Sequence, residues 1–559
     1  MYTVTFKIEN SGDIKVDANR GDNILELAAN AGVVIDAPCS GNGTCGKCRM
    51  KVISGGVDMT HSPRLSRTDF HDNWRLACQS RVIGDVTLWV PSSASAFKND
   101  IRTADLSTAK ELERYDSEIA SLFDLGIVRG CAEVGFGIAI DIGTTTVTGA
   151  LMSLSDGKIL SKASMGNGQI RYGADVINRI IQSAKPGGRE KLKAAVLDET
   201  LVPLINDMCH GAGIENTDVK RIVIAGNTTM EHLLVGEDAQ SIRLEPYVPA
   251  FLELRGKNAG ELDIPVDPSA KVILAPNVGS YVGGDITAGV LASRLWNDEG
   301  LTLLIDLGTN GELVLGNADY MLCCACSAGP AFEGGDIGCG MRATTGAVED
   351  VAIDKETLQP TLSVIGGGKP MGLCGSGLIA AISELFRCGV ISAKGKFTVE
   401  KPRVVYDDYG GASYILAFAE ESGTGSDIEL NESDLDNFIR AKAAIFSAVK
   451  TMLDSLDIPV DGIEKIILAG GIGSGIDIKK AISIGMLPNI PEECYTYIGN
   501  SSLTGSCAML LSDDAEERVF EIGRNMTYIE LSTYPGYMDE FVAACFLPHT
   551  DSTLFPEVE

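Results

Sequence analysis

Cys39-Ser-Gly-Asn-Gly-Thr-Cys45-Gly-Lys-Cys48 is the stretch that decides how the N-terminal part of this 559-residue chain folds. It places three cysteines at C-x5-C-x2-C spacing in a loop with three glycines. A fourth, Cys78, follows after 29 intervening residues, in Arg75-Leu76-Ala77-Cys78-Gln79. A 2Fe-2S cluster needs four thiolates and a backbone that wraps closely around it. Glycine permits the left-handed turns that bring N–H groups up to the sulfurs. The competing reading is a four-cysteine zinc site. Zinc ribbons usually pair two C-x2-C knuckles, and this stretch has one.

The flanking residues build a frame for that loop. Residues 2–8 alternate as a strand, Glu9–Asp13 turns the chain, and Ile14–Val16 pairs back. Asp22 is placed to cap a helix with Ile24, Leu25, Leu27, Ala28 and Ala31 on its apolar face, and Gly32 ends it. A closing strand, Val86–Val90, stops at Pro91. Hairpin, helix, cysteine loop and late fourth cysteine together are similar to the ferredoxin β-grasp fold. The first cysteine gap is one residue longer than the plant-type C-x4-C-x2-C, and so resembles the adrenodoxin-like branch of 2Fe-2S ferredoxins. Residues 92–99 begin a linker, and 106–124 read as a charged helix, expected to be a solvated spacer.

Composition narrows the function classes. The formal net charge is −30, against nucleic acid and anionic membranes as partners. No apolar run approaches the roughly 18 residues of a membrane-crossing helix. Fifteen cysteines without an export signal point to thiols and a cluster in a reducing cytoplasm rather than to disulfides.

From Gly137 the texture changes. Ile138-Ala-Ile-Asp141-Ile-Gly143-Thr144-Thr145-Thr146-Val147 is a buried strand, a tight turn and a second strand. Thr302-Leu-Leu-Ile-Asp306-Leu-Gly308-Thr309-Asn310-Gly311 repeats it 165 residues later. Each turn offers N–H groups to phosphate oxygens, and each Asp can reach a magnesium ion through water. One copy alone would be weak; two imply duplicated halves facing one nucleotide. A third element, Ile466-Ile-Leu-Ala469-Gly470-Gly471-Ile472-Gly473-Ser474-Gly475, runs a strand into a glycine turn that a flat adenosine can approach. It does not meet the G-x-G-x-x-G spacing of a dinucleotide site.

Two phosphate loops and an adenosine loop in this order look like the superfamily of acetate and sugar kinases, heat-shock chaperones and actin. That resemblance implies a pair of ribonuclease-H-like halves with ATP in the cleft. The expected bounds are 1–92 for the cluster domain, 93–133 for a linker, 134–300 for the first half and 301–559 for the second half with a C-terminal extension. Gln169-Ile-Arg-Tyr-Gly-Ala-Asp175, Ala225-Gly-Asn227-Thr228-Thr229-Met, Ser327-Ala-Gly-Pro-Ala-Phe-Glu333-Gly, Gly372-Leu-Cys374-Gly-Ser376-Gly and Asp539-Glu-Phe-Val-Ala-Ala complete the pattern. Nearly the whole chain thereby resembles the reductive activators of corrinoid proteins.

That resemblance implies a repair reaction. Corrinoid methyl carriers stranded as Co(II) are returned to Co(I) with one electron and ATP. An upstream low-potential electron donor and a homodimer are implied with it. Plant-type clusters lie near about −400 mV, and Co(I) demands a lower potential. A gap of a couple of hundred millivolts is about 5 kcal/mol, which ATP-linked differential binding can supply. Two alternatives stay open: an ATP-driven donor to another low-potential metalloenzyme, and a small-molecule kinase with a regulatory cluster.

The remaining candidates have plainer readings. On an alternating strand Cys324 and Cys326 share a face opposite Cys323, as buried thiols, and Cys339, Cys374 and Cys388 are expected in the core. The five histidines match no metal spacing and read as surface or cap residues. Asn227, Thr228 and Thr229 follow a strand end and either line the nucleotide cleft or cap the next helix. Ser376 sits between glycines before the helix Leu378–Arg387, where a corrin ring could approach, or it caps that helix.

Overall fold

The structure, a computed structural model, describes all residues except 10–11, 34, 36, 38–40, 42, 44–45, 63, 66, 92–101, 104–108, 128–129, 174, 399–402, 407–409, 472–474 and 557–559. Its N-terminal sheet has the order Asp13–Ala18, Tyr2–Ile8, Arg81–Val90, Arg49–Asp58, Trp74–Leu76. Strand Tyr2–Ile8 runs antiparallel to its hairpin partner and parallel to Arg81–Val90. Alternation turns Val4 and Phe6 inward, into a core shared with Ile24 and Ala28 of the helix Ile24–Asn30. The cap of that helix is Asn23, whose side chain accepts from the N–H groups of Leu25 and Glu26. Asp22 lies one residue too early and accepts from the Asn19 N–H at 2.8 Å instead.

Two larger sheets share one plan. In the first, Phe136–Ile142, Thr146–Ser153 and Ile159–Gly166 form an antiparallel meander. Val219–Gly226 adds parallel to its first strand, and Lys271–Leu274 adds parallel to that. In the second, Thr302–Leu307, Gly311–Gly316 and Met321–Cys326 form the meander. Lys465–Ala469 and Tyr495–Tyr497 then add in parallel. Each half thus places the end of its first strand beside the end of its fourth.

Two helices, Gly284–Ser293 and Ser501–Leu511, pack against one another between the sheets. Glycine makes this approach possible. A Cβ on Gly505 would lie 2.0 Å from the Ala288 carbonyl oxygen, and one on Gly289 would lie 2.8 Å from Ser501 Oγ. Helix Ser501–Leu511 follows the second sheet in the chain yet packs on strands Phe136–Ile142 and Val219–Gly226 of the first. The halves are therefore interlocked.

The helix Ala109–Phe123 is not a solvated spacer. Tyr115, Ile119 and Leu122 are buried in the core that joins the two halves, against helix Ser501–Leu511. On the opposite side Arg114 and Asp116 are exposed, an amphipathic pattern that a high overall charge hides. Beyond it, Glu133 pairs with Arg221, a fully buried guanidinium that also binds Asp513 and Glu516 at 2.6 and 2.8 Å.

Other side chains also differ from expectation. His232 is fully buried, with Nδ1 2.7 Å from the Thr228 carbonyl and its ring stacked on Phe251. His549 is nearly enclosed and bonded to Glu540. Neither is a surface residue. Cys323, Cys324 and Cys326 are buried as expected, Cys324 and Cys326 in one core cluster and Cys323 in the other. Cys374 is buried, whereas Cys339 and Cys388 are only half-buried.

Candidate functional site

The cysteine loop and the cleft between the halves are two separate places. In the N-terminal sheet, Cys48 leads into strand Arg49–Asp58, and Cys78 lies in the short turn Ala77–Gln79 after strand Trp74–Leu76. These strands pair, with Arg49 opposite Leu76, which brings the two sulfurs to 3.4 Å. Two thiolates bound at about 2.3 Å to one tetrahedral ion lie about 3.7 Å apart, so the pair fits a shared metal ion. Gly41, Gly43 and Gly46 all have positive φ, at +88°, +74° and +71°. A Cβ on Gly43 would strike Gln79 Nε2 at 2.0 Å, so the loop folds over Cys78 as only glycine allows. Cys39 and Cys45 lie outside the described residues.

In the cleft, both predicted aspartates end their strands and face one another. Asn500 Nδ2 and Ser502 Oγ donate to Asp141 at 2.8 and 2.9 Å. Ser501 Oγ reaches Asp306 at 3.4 Å. These three donors start helix Ser501–Leu511, so its positive N-terminal end points at both carboxylates. Asp285, in the first turn of the partner helix Gly284–Ser293, faces the same space.

The electrostatics are those of a crowded acidic cleft. Burial, then the charge of Asp141, pushes the Asp306 carboxyl up to about 7, against the Ser501 hydrogen bond. Burial raises Asp141 too, opposed by Asn500 and Ser502. Asp285 and Glu312 are raised by burial and then by neighbouring carboxylates, Asp306 among them in each case. A dication and its water shell would relieve that repulsion, and a magnesium ion carrying nucleotide phosphates fits it. Among the described residues, no three acidic, His or Cys side chains meet closely enough to bind a metal directly.

The two turns meet across the cleft. Thr145 Oγ1 and Thr309 Oγ1 lie 2.9 Å apart, and each donates to the Glu333 carboxylate, at 3.2 and 3.0 Å. Thr144 is held from behind: Arg179 donates to its carbonyl, and Asn227 Nδ2 donates to its hydroxyl at 3.1 Å. Asn167 Nδ2 donates to the Gly143 carbonyl at 2.9 Å. Asn227 also caps helix Thr228–Val235 by accepting from Met230, so the capping role expected of it holds. In the second turn the Gly308 N–H donates to the Asn310 carbonyl at 3.0 Å.

The third loop joins them. Gly470 has φ +91°, and a Cβ there would lie 2.4 Å from the Leu307 carbonyl and 2.8 Å from Asp306 Oδ1. No other residue lets the strand end approach the second turn so closely. Gly471 follows in the open, with nothing within 4 Å of its added Cβ; Gly473 lies outside the described residues. Ser376 does not cap its helix. The cap position of Gly375–Arg387 is Cys374, which makes no side-chain cap bond. Ser376 Oγ instead lies 3.3 Å from Cys374 Sγ and faces Gly475, whose added Cβ would be 3.2 Å from it.

Asp285, Glu312, Glu333 and the run Asn500-Ser501-Ser502 were not predicted as site residues. Asp285 and Asn500–Ser502 start helices far in sequence from Asp141, and although Gly283-Gly284 and Gly499 precede them, neither run repeats the Asp-x-Gly turn that marked the other two. Glu312 lies one residue past the second turn, and alternation alone could have flagged it as a buried carboxylate on the strand.

Three family descriptions cover the chain. A 2Fe-2S iron-sulfur cluster binding domain matches 7–82, the RACo middle region matches 136–298, and the C-terminal ASKHA domain of RACo matches 300–559. The "Corrinoid activation enzyme RamQ" of Eubacterium limosum is 31% identical over 94% of this chain and 96% of its own length. The "[Co(II) methylated amine-specific corrinoid protein] reductase" of Methanosarcina barkeri is 23% identical over 70% of this chain and 73% of its own. A solved structure, described as a reductive activator for corrinoid,iron-sulfur protein, is 39% identical, spans all of both chains and superposes with a TM-score of 0.70.

Proposed function

This chain belongs to the reductive activators of corrinoid proteins, and on that footing we propose that it returns a corrinoid protein from Co(II) to Co(I) with one electron, at the cost of ATP hydrolysis. The observation that carries this reading is the coexistence, in one chain, of a thiolate pair fit for a metal cluster and a duplicated acidic cleft fit for magnesium nucleotide. The 2Fe-2S cluster supplies the single electron when bound, and Cys39, Cys45, Cys48 and Cys78 are its proposed ligands. Gly143 and Gly308 close their turns by donating to the Thr146 and Asn310 carbonyls, and the backbone N–H groups of Thr144, Thr145, Thr309 and Asn310 would hold the phosphates. Asp141 and Asp306 would orient the water shell of Mg2+, and Gly470, Gly471 and Gly473 would leave room for adenosine. Water is the acceptor of the phosphoryl group.

Ser376 is the proposed contact to the corrin ring. It is buried beside Gly475, and Gly377 packs on the Val348 carbonyl, so a flat partner would have to reach Ser376 from the Gly475 side. Because Cys374 holds the cap position, Ser376→Ala is expected to leave stability nearly unchanged while slowing Co(II) reduction. A variant of full activity would remove the residue from the site. Domain bounds of 1–92, 93–133, 134–300 and 301–559, an upstream low-potential donor, a homodimer and a cytoplasmic location complete the reading. Among the described residues no helix is long and apolar enough to cross a membrane.

The decisive test is optical. A Co(II) corrinoid protein is mixed with the holoprotein and reductant, with Mg-ATP added or withheld. The Co(I) band is expected only with ATP. Equal Co(I) without ATP, or a phosphorylated small molecule in place of reduced cobalt, would sink the proposal.

A further inference from the structure

One contact runs between the cluster loop and the ATPase. Lys47, the residue before Cys48, donates from Nζ to the carbonyl of Ile337 at 2.8 Å. Ile337 lies four residues after Glu333, which accepts from the hydroxyls of both phosphate turns. The chain between them is a stiff piece. Gly334 packs so tightly on Gly340 and Met341 that an added Cβ would lie 2.4 Å from the Met341 nitrogen. Gly335 N–H donates to the Pro330 carbonyl at 2.8 Å. The long helix Glu432–Asp454 holds it from below: Asp434 accepts from Gly338 N–H at 2.8 Å and Asn437 donates to the Asp336 carbonyl at 2.6 Å. Phe332 meets Phe438 edge-on at 5.5 Å.

In the structure the Glu333 carboxylate occupies the hydroxyls of Thr145 and Thr309. A phosphate entering between the turns brings more negative charge to the same two donors. Carboxylate and phosphate cannot share them without repulsion. One must yield, and Glu333 is the one carried by a short turn, Pro330–Glu333, rather than by a strand of either sheet. A rigid piece that shifts at one end also shifts at the other, where Lys47 is bound.

We propose that Glu333 is a latch: it closes the two phosphate turns on each other in the absence of nucleotide, and its displacement by a phosphate moves the segment 333–338 and changes how that segment holds the cluster loop through Lys47. The nucleotide would thereby set the position of the electron-carrying domain against the ATPase. The same segment touches the predicted partner site, since the Leu373 N–H donates to the Cys339 carbonyl at 2.9 Å three residues before Ser376. The latch rests on the proposed reading of the turns as phosphate-binding.

The test uses the full-length holoprotein and a non-hydrolysable ATP analogue with magnesium. Analogue binding is measured by calorimetry, and backbone hydrogen exchange is followed over 46–48 and 333–340. In the native protein the analogue is expected to bind and to change exchange in both stretches. Glu333→Ala should bind it about tenfold more tightly, because a competing like charge is gone, and should show the altered exchange before analogue is added. Lys47→Met should keep its cluster spectrum and its analogue affinity but lose the change over 46–48. An analogue that fails to bind the native protein would overturn the phosphate reading itself, and the latch with it. An analogue that binds while exchange over 333–340 stays constant would overturn the latch alone. So would Glu333→Ala binding more weakly than the native chain.

Discussion

The two Asp-x-Gly turns of the cleft share one pattern and are built differently. Around Asp141-Ile-Gly143-Thr144-Thr145, the supports come from its own half: Arg179 and Asn227 hold Thr144, and Asn167 holds Gly143. Asp141 accepts two side-chain hydrogen bonds. Around Asp306-Leu-Gly308-Thr309-Asn310, the bonds are fewer: Ser501 and Glu333 of its own half and Thr145 of the other, whereas both donors to Asp141, Asn500 and Ser502, cross from the second half. Asp306 has a single long bond from Ser501. Thr309 is held by Glu333 and by Thr145 of the other turn. A carboxylate with few donors, facing another carboxylate, is easier to protonate. The first turn is therefore a fixed wall. The second is the responsive one, whose charge state depends on what occupies the cleft.

The largest effect that would test this contrast is on hydrolysis. Asp306→Ala is expected to lower ATP turnover at least about a hundredfold, the scale seen when one preorganised electrostatic group is lost. The visible spectrum of the cluster should be unchanged, because the cysteines lie on a different sheet. Turnover within a factor of three of native would mean the second turn does not face the phosphates.

Next in size is the wall itself. The Arg179 guanidinium is buried, and burial depresses it to about 9 although Asp175 opposes this. It satisfies the carbonyls of Gly173 and Thr144. Arg179→Met would leave buried acceptors bare and should cost about 3 kcal/mol. Urea unfolding of the metal-free protein measures it. A loss below about 1 kcal/mol would show that the first turn needs no such support.

pH sharpens the contrast further. The Asp306 carboxyl is raised from 3.8 to about 7 in the nucleotide-free fold. A raised carboxyl contributes stability that is full below its unfolded pKa and is lost as pH rises through the folded one. Its share of apo stability should therefore fall between about pH 4 and 7. Mg-ATP needs the ionised form, so its affinity should be about tenfold weaker at pH 6 than at pH 8. Asp306→Asn should abolish that slope, whereas Asp141→Asn should keep it but move it to lower pH, because the Asp141 charge is part of what raises Asp306. The opposite result would exchange the roles of the two turns.

The smallest expected effect is at Asn227. Asn227→Ala removes a helix cap and one bond to Thr144, a cost of about 1 kcal/mol in thermal unfolding. Turnover should fall only slightly, since Arg179 still holds the turn. A hundredfold loss would make Asn227 a phosphate contact in its own right.

Much of this was legible in residue order because it is local. Strands with a period of two, glycines where φ must be positive, and cysteines at a fixed spacing are constraints between near neighbours. The strand Lys465–Ala469 was expected with the bounds it has, and the repeat of Asp-x-Gly turns announced a duplicated ATPase. Caps were less legible, since Asp22 and Asn23 are chemically close and only the backbone angle selects between them.

What residue order alone determined, then, was the inventory: a thiolate set for a cluster, two acidic turns and a glycine loop, hence the family and the chemistry. Tertiary structure decided which of these groups meet. Helix Ala109–Phe123 looked like a solvated spacer until the core gave its apolar edge a place to bury. Asn500, Ser501 and Ser502 carry no motif, yet an interlocked helix delivers them to Asp141 and Asp306. Glu333 lies 188 residues from Thr145 and is its hydrogen-bond partner. Such pairings depend on how distant elements pack, and packing is a sum over many weak contacts that no short stretch of sequence contains.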